Sequence, residues 1–291
     1  MSEVTIITDS CCDLNSSMAR DNGIRIIPTP VHFGEETYRD RDTISLSEFY
    51  SRLADGASPT TSQISPADFR SLFSEELEKG NKVIAICFSG ELSGIFKSAL
   101  MAKEELDSDD IAVVDSRSAS IGQGLSVMRA AEAAGSGQSW QEILDDIKKD
   151  CSHMEHIFAV GSLEMLKRGG RISGGKALIG NILNIKPILH FDEGKILPLS
   201  KVRGRSSMID FLVDEMEKRC DGANNDLVGI SHSHSRELAG ELKSSVEERF
   251  TDVNRIVVGE IGAAIGSHVG SGTVSLFFRG KEPVASPRVV V

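Results

Sequence analysis

Two unbroken apolar runs, Val83 to Phe88 and Ile111 to Val114, bracket a stretch of helical periodicity, Ile95 to Leu106. A strand that is apolar at every position must be covered on both faces, and a strand–helix–strand order of this length joins strands that run parallel. The chain therefore has to build an α/β domain around a parallel sheet. Val4 to Thr8 reads as a further strand, Asp13 to Asn22 as a helix stopped by Gly23, and Ile24 to Pro28 as an extended piece. Val31-His32-Phe33, the Gly34-Glu35 turn and Thr37-Tyr38 read as a small hairpin inserted at about 28–42. Helices are predicted at about 45–54 and 65–79, the second opened by Ser65 as N-cap and Pro66 at the first helical position. Two more, at about 120–134 and 139–150, close this half.

The second half alternates less regularly. His156 to Val160, Pro187 to Phe191, Lys195 to Val202, Leu227 to Ser231, Arg255 to Ile261 and Thr273 to Arg279 read as strands, with helices at about 205–219 and 236–249. Asp192-Glu193-Gly194 is a hairpin turn. The expectation is a mixed or antiparallel sheet with helices on one face, an α+β layer able to open a gap between helices and sheet. With 291 residues, two domains are expected: 1–152, and 153–280 built on the mixed sheet. The tail 281–291, with Pro283 and Pro287, is expected to be disordered.

Charge and composition exclude partners. Against 43 acidic residues stand 32 basic ones, a net charge of -11, with no Lys/Arg stripe to neutralise phosphates in series. Neither nucleic acid nor an anionic bilayer is an expected partner. No basic leader opens the sequence and no apolar run approaches the roughly 18 residues of a membrane span, so a cytoplasmic protein without stable membrane insertion is expected. Cys11, Cys12, Cys87, Cys151 and Cys220 fit no metal spacing and read as buried thiols.

Three loops share one chemistry: Pro59-Thr60-Thr61-Ser62-Gln63, Ser89-Gly90-Glu91-Leu92-Ser93-Gly94 and Gly266-Ser267-His268-Val269-Gly270-Ser271-Gly272. Hydroxyls and bare backbone N–H groups suit holding an anion's oxygens. Ser93-Gly94 falls between a parallel strand and a helix, the crevice where α/β sheets bind ligands and where a helix dipole favours an anion; a plain capping role for Ser93 is the alternative. Thr61 offers a hydroxyl, or merely shapes a turn. His268, flanked by Gly266 and Gly270, is expected to gain a proton beside a carboxylate and lend it a positive charge.

Taken together, Ile7-Thr8-Asp9-Ser10 with Asp13-Leu14, Thr61-Ser62-Gln63, Leu92-Ser93-Gly94, Leu166-Lys167-Arg168-Gly169-Gly170-Arg171-Ile172 and His268-Val269-Gly270 resemble the DegV family, from about residue 3 to residue 280. The resemblance implies a bacterial fatty-acid-binding protein, including the acyl-binding subunit of fatty acid kinase. It implies that Thr61 contacts the fatty acid carboxyl, and with it Ser93, Gly94 and His268 form the expected carboxyl site. Ser62, Arg171, Arg203 and Arg205 are secondary candidates for the headgroup or for the surface met by the kinase catalytic subunit. Phe158, Leu163, Ile188, Leu189 and Phe191 are candidate walls for the acyl chain of a ligand such as palmitate or oleate. No cofactor and no metal is expected, and no catalysis by this chain alone.

A serine-dependent esterase or lipase-like hydrolase is the enzymatic alternative, since serine and histidine meet in the same site. No G-x-S-x-G elbow precedes Ser93, and no acid is evident behind His268. Gly170 to Lys176 has P-loop spacing, but Ala177 stands where a magnesium-binding hydroxyl is needed. His232-Ser233-His234 lacks a third metal ligand at sensible spacing.

Overall fold

The computed structural model describes residues 3–172, 184–222 and 226–291. In chain order the first half contains β1 (Val4–Asp9), α1 (Ser16–Asp21), β2 (Arg25–Ile27), β3 (Pro30–Phe33), β4 (Glu36–Arg39), α2 (Leu46–Ala54), β5 (Thr60–Thr61), α3 (Pro66–Glu78), β6 (Lys82–Cys87), α4 (Ile95–Leu106), β7 (Ile111–Asp115), α5 (Ser120–Gly135) and α6 (Trp140–Ser152). The second half contains β8 (Met154–Ala159), α7 (Glu164–Arg168), β9 (Ile185–Asp192), β10 (Lys195–Arg203), α8 (Arg205–Arg219), β11 (Leu227–His232), α9 (Arg236–Arg249), β12 (Arg255–Glu260), α10 (Ala263–Val269), β13 (Val274–Arg279) and β14 (Arg288–Val290). The described residues form a mixed α/β fold with three sheets.

The first sheet has the order β14-β7-β6-β1-β2, with β7, β6, β1 and β2 parallel as the apolar runs require. Val83 to Cys87 and Ile111 to Asp115 are buried throughout. Ser65 and Asp68 form a reciprocal capping box at the start of α3, with Pro66 in the first turn, so the helix begins where its sequence says it must. The hairpin β3–β4 takes β5 as a third strand, through the antiparallel pair Val31 and Thr61.

The second sheet, β10-β9-β8-β13-β11-β12, is mixed: only β11 and β12 run parallel, joined across α9. Strand alternation divides its residues between two cores. Ile157, Ile188, Leu276 and Phe278 face α8 and α9, packing on Leu212, Met216 and Leu242. Phe158, Leu189 and Phe191 face the other way, towards Leu92 and Ala119 of the first half. The helix α5 runs between the sheets, touching β1 on one side and β11 on the other, and its residues Ile121, Leu125 and Met128 are fully buried.

The tail is not disordered. Pro283 and Pro287 hold the backbone extended, Val284 N–H donates to Ser152 C=O, and Arg288 to Val290 pair antiparallel with β7. An open sheet edge presents a row of unpaired N–H and C=O groups, which this short strand satisfies.

Candidate functional site

One cavity of about 170 Å³ is bordered by residues from all three predicted loops: Thr61, Ser62 and Gln63; Ser93 and Gly94; His268. Arg171 joins them, while Arg203 and Arg205 do not. Arg203 is exposed at the end of β10, and Arg205, also exposed, pairs with Glu241 at 2.6 Å. Ser62 and Gln63 are exposed and mark the mouth; Phe158 and Phe191, both buried, form the apolar wall with Ile196 and Phe277. Leu163 and Leu189 belong to the same apolar cluster but do not border the cavity. Ile188 lies on the opposite sheet face, in the core under α8 and α9, because a one-residue step along a strand reverses the side chain.

His268 corrects the loop reading of 266–272: it stands in the last turn of α10, which ends at Gly270 in the left-handed region (φ 70°). Two buried carboxylates seat this helix. Asp13 accepts from Gly262 N–H and Asp40 from Ala263 N–H, each at 2.7 Å, so the first-turn donors and the dipole are both satisfied. Arg41 bridges back to Asp13 at 3.2 Å. Burial pushes the Asp13 carboxyl up to about 6, against the pull of Arg41. The Asp13 of the N-terminal motif thus acts on the site through α10, a role its sequence neighbourhood did not signal. The helix itself was signalled by glycines at 262 and 270 around an apolar Ala-Ala-Ile.

The imidazole Nε2 of His268 lies 2.8 Å from Thr61 Oγ1, joining α10 to β5. Its Nδ1 is buried without a partner among the described residues. A proton there would be unsatisfied, and burial, then the nearby Arg171 and Arg168, bring the group down to about 4. Without a bound anion, then, His268 is neutral near pH 7 rather than a standing positive charge.

Ser93 does not cap α4. Gly94 is the N-cap residue and no side chain closes the turn, while Ser93 Oγ accepts only a long 3.4 Å bond from Ile95 N–H. A Cβ at Gly94 would lie 1.6 Å from Gln63 Oε1, so only glycine lets the loops at 61–63 and 93–94 meet without displacing Gln63. Arg171, half-buried, donates to Leu92 C=O at 3.2 Å and to Gly169 C=O, which fixes its stem beside the mouth. Ser62 Oγ is 2.9 Å from His32 Nε2.

Deeper in, His156 stacks on Phe191 with ring centroids 4.4 Å apart. Its Nδ1 lies 2.9 Å from Met154 C=O, which can only accept, so Nδ1 carries the proton and Nε2 accepts from Ser118 Oγ at 2.7 Å. Burial lowers its pKa to about 3. The β9–β10 turn closes over this end: Ser89 Oγ donates to Gly194 C=O at 2.8 Å, and Arg117 donates to Glu193 C=O at 3.1 Å and to Glu91 at 2.7 Å.

Residues 173–176 of the P-loop-like run lie outside the described residues. His232 Nδ1 accepts from Ser235 N–H at 3.3 Å, shaping the turn before α9. All five cysteines are free and buried, and burial raises the thiols of Cys11, Cys12 and Cys87. Among the described residues no helix is long and apolar enough to cross a membrane.

Comparison with known proteins finds relatives along nearly the whole chain. The family profile described as "Uncharacterised protein, DegV family" matches residues 3–281. A DegV domain-containing protein of Clostridium perfringens is 38% identical over 292 residues, covering 97% of this chain and all of the relative. A Thermus thermophilus DegV family protein described by its fatty acid binding superimposes with a TM-score of 0.88 at 32% identity, covering 96% of this chain and 99% of that one. Bacillus subtilis DegV, described as a fatty acid binding protein, gives 0.85 at 30% identity, with 97% and 100% covered.

Proposed function

This chain belongs to the DegV family, and from that membership and the cavity we propose that it binds one long-chain fatty acid such as palmitate or oleate. The observation that carries the reading is a single cavity whose mouth holds hydroxyls, an uncapped helix N-terminus and an imidazole, and whose interior is apolar. The carboxyl lies against Thr61, Ser93, Gly94 and His268; the chain runs over Phe158, Phe191, Ile196 and Phe277. About 14 methylenes at ~0.8 kcal/mol each supply ~11 kcal/mol of gross transfer energy for a sixteen-carbon acid, before ordering costs. The tail gives affinity and the mouth gives orientation.

The division of the chain at about residue 152, with the acyl chain against the second sheet, follows from the same placement. A bound carboxylate changes the electrostatics of His268, because a nearby anion favours the imidazolium. Hydrolysis has less support. Nε2 of His268 faces Thr61, and among the described residues Nδ1 has no carboxylate to orient it.

Presentation to a kinase subunit is the further role. A carboxylate held by one rim keeps an oxygen available to a phosphoryl donor supplied by another protein, whose positioned metal and cations would complete the transfer. Arg171 borders the mouth, and Arg203 and Arg205 are exposed for contact with that partner.

Protein purified from a bacterial host should release one fatty acid of about sixteen to eighteen carbons per chain on denaturing extraction, since so much buried methylene resists washing. Lipid-free protein that also fails to bind added palmitate or oleate overturns the reading. With ATP, magnesium and oleate the chain alone should form no acyl phosphate, and should do so with a cognate kinase subunit; His268→Ala should then lower transfer more than binding. Wild-type transfer with lost binding contradicts that assignment.

A further inference from the structure

The wall of the cavity is not uniformly apolar. Ser275 borders it, is 5% exposed, and its hydroxyl has no hydrogen-bond partner among the described residues. Other buried polar side chains on the cavity are engaged, His156 with Met154 and Ser118, Ser120 with Asp13 at 2.5 Å, Thr273 with Val269 C=O, and Thr29 with Cys11, while the unpartnered Nδ1 of His268 belongs to the mouth. Across the sheet Ser275 is opposite Phe158 on one side and Ser231 on the other. Ser231 is already 3.0 Å from Ser120 Oγ.

Ser275 lies on β13, outside the three segments that form the mouth. Thr273 follows the end of α10, and Ser275 lies two residues further on, about 7 Å at strand spacing, before Phe277 beside His156. A carboxylate held at Thr61 and His268 is satisfied there, and a plain methylene chain passing Ser275 offers its hydroxyl nothing. Burying a hydroxyl without a partner is unfavourable, so the cavity is better matched by a chain that carries an oxygen at this depth.

Resting on the fatty-acid reading, we propose that Ser275 is a polar subsite inside the acyl cavity, which hydrogen-bonds an oxygen substituent part-way along the chain and so admits hydroxylated long-chain fatty acids. The site selects by position, because one hydroxyl on a strand reaches only the chain carbons that lie across from it.

Delipidated protein titrated with stearate and with a series of hydroxystearates, the hydroxyl moved stepwise along the chain, tests this. One position should bind at least tenfold more tightly than its neighbours. Ser275→Ala should lose about tenfold for that isomer, ~1.4 kcal/mol, while stearate affinity stays within twofold, and Ser275→Thr should keep the preference. Equal affinity across the series, or an equal change for stearate and hydroxystearate in Ser275→Ala, overturns the subsite and leaves fatty-acid binding standing. Failure of the wild-type chain to bind stearate or any hydroxystearate overturns both.

Discussion

Replacing Thr61 by valine keeps the shape and removes only the hydroxyl, and the structure says how that loss divides between binding and folding. A threonine hydroxyl has one proton and two lone pairs. With His268 Nε2–H donating to it across 2.8 Å, Thr61 is free to donate its own proton outward to an anion. In this arrangement the bare Nδ1 is the atom left without a partner. Thr61→Val then removes one charge-assisted bond to the carboxylate, about 1.5 to 3 kcal/mol, which is roughly a 10- to 150-fold rise in Kd. The same change orphans Nε2–H of His268 in both free and bound protein, so that cost of about 1 to 3 kcal/mol falls on stability and largely cancels in affinity. Calorimetric titration of delipidated protein with monomeric palmitate reads the first effect, and the urea midpoint reads the second. Thr61→Ser, which keeps the hydroxyl, should bind within a few-fold of wild type. Unchanged affinity in Thr61→Val beside a lowered midpoint would show that Thr61 only supports His268, and equal losses in the valine and serine variants would assign the effect to packing.

Two further outcomes concern the frame. Gly194 has φ 77°, and a Cβ there would lie 2.5 Å from Ser89 Oγ and 3.3 Å from the Arg117 backbone, so Gly194→Ala should cost about 1 to 3 kcal/mol and lower Tm by several degrees; an unchanged Tm would mean the β9–β10 turn is not docked on the first half. His156 is neutral in the folded state down to about pH 3, whereas an unfolded histidine takes a proton near 6.5, so its contribution to stability is lost as pH falls through that window. Asp13, raised to about 6, has the opposite sign, its contribution being lost as pH rises. His156→Gln removes only the histidine effect, and its stability relative to wild type should rise by about 2 to 3 kcal/mol between pH 6 and pH 4 in urea titrations; a constant difference would show that His156 is not held neutral.

Local sequence determined much of this protein. Apolar runs at 83–88 and 111–114, a capping box at Ser65 and the Asp192 to Gly194 turn state their own conformations, because burial on both faces, end-capping and turn chemistry act over a few residues. The short segments at 61–63 and 93–94 likewise show donor chemistry wherever they stand. Tertiary structure decided what those residues face. It placed His268 on a helix held by Asp13 and Asp40, residues more than 200 positions away, and held its imidazole neutral by burial. It sent Ile188 to the outer core while Phe191 reached the cavity, a matter of strand alternation that an apolar run of this kind does not display. It also paired the tail with β7, because the vacancy at a sheet edge is a property of the assembled sheet and leaves no mark on the residues that fill it.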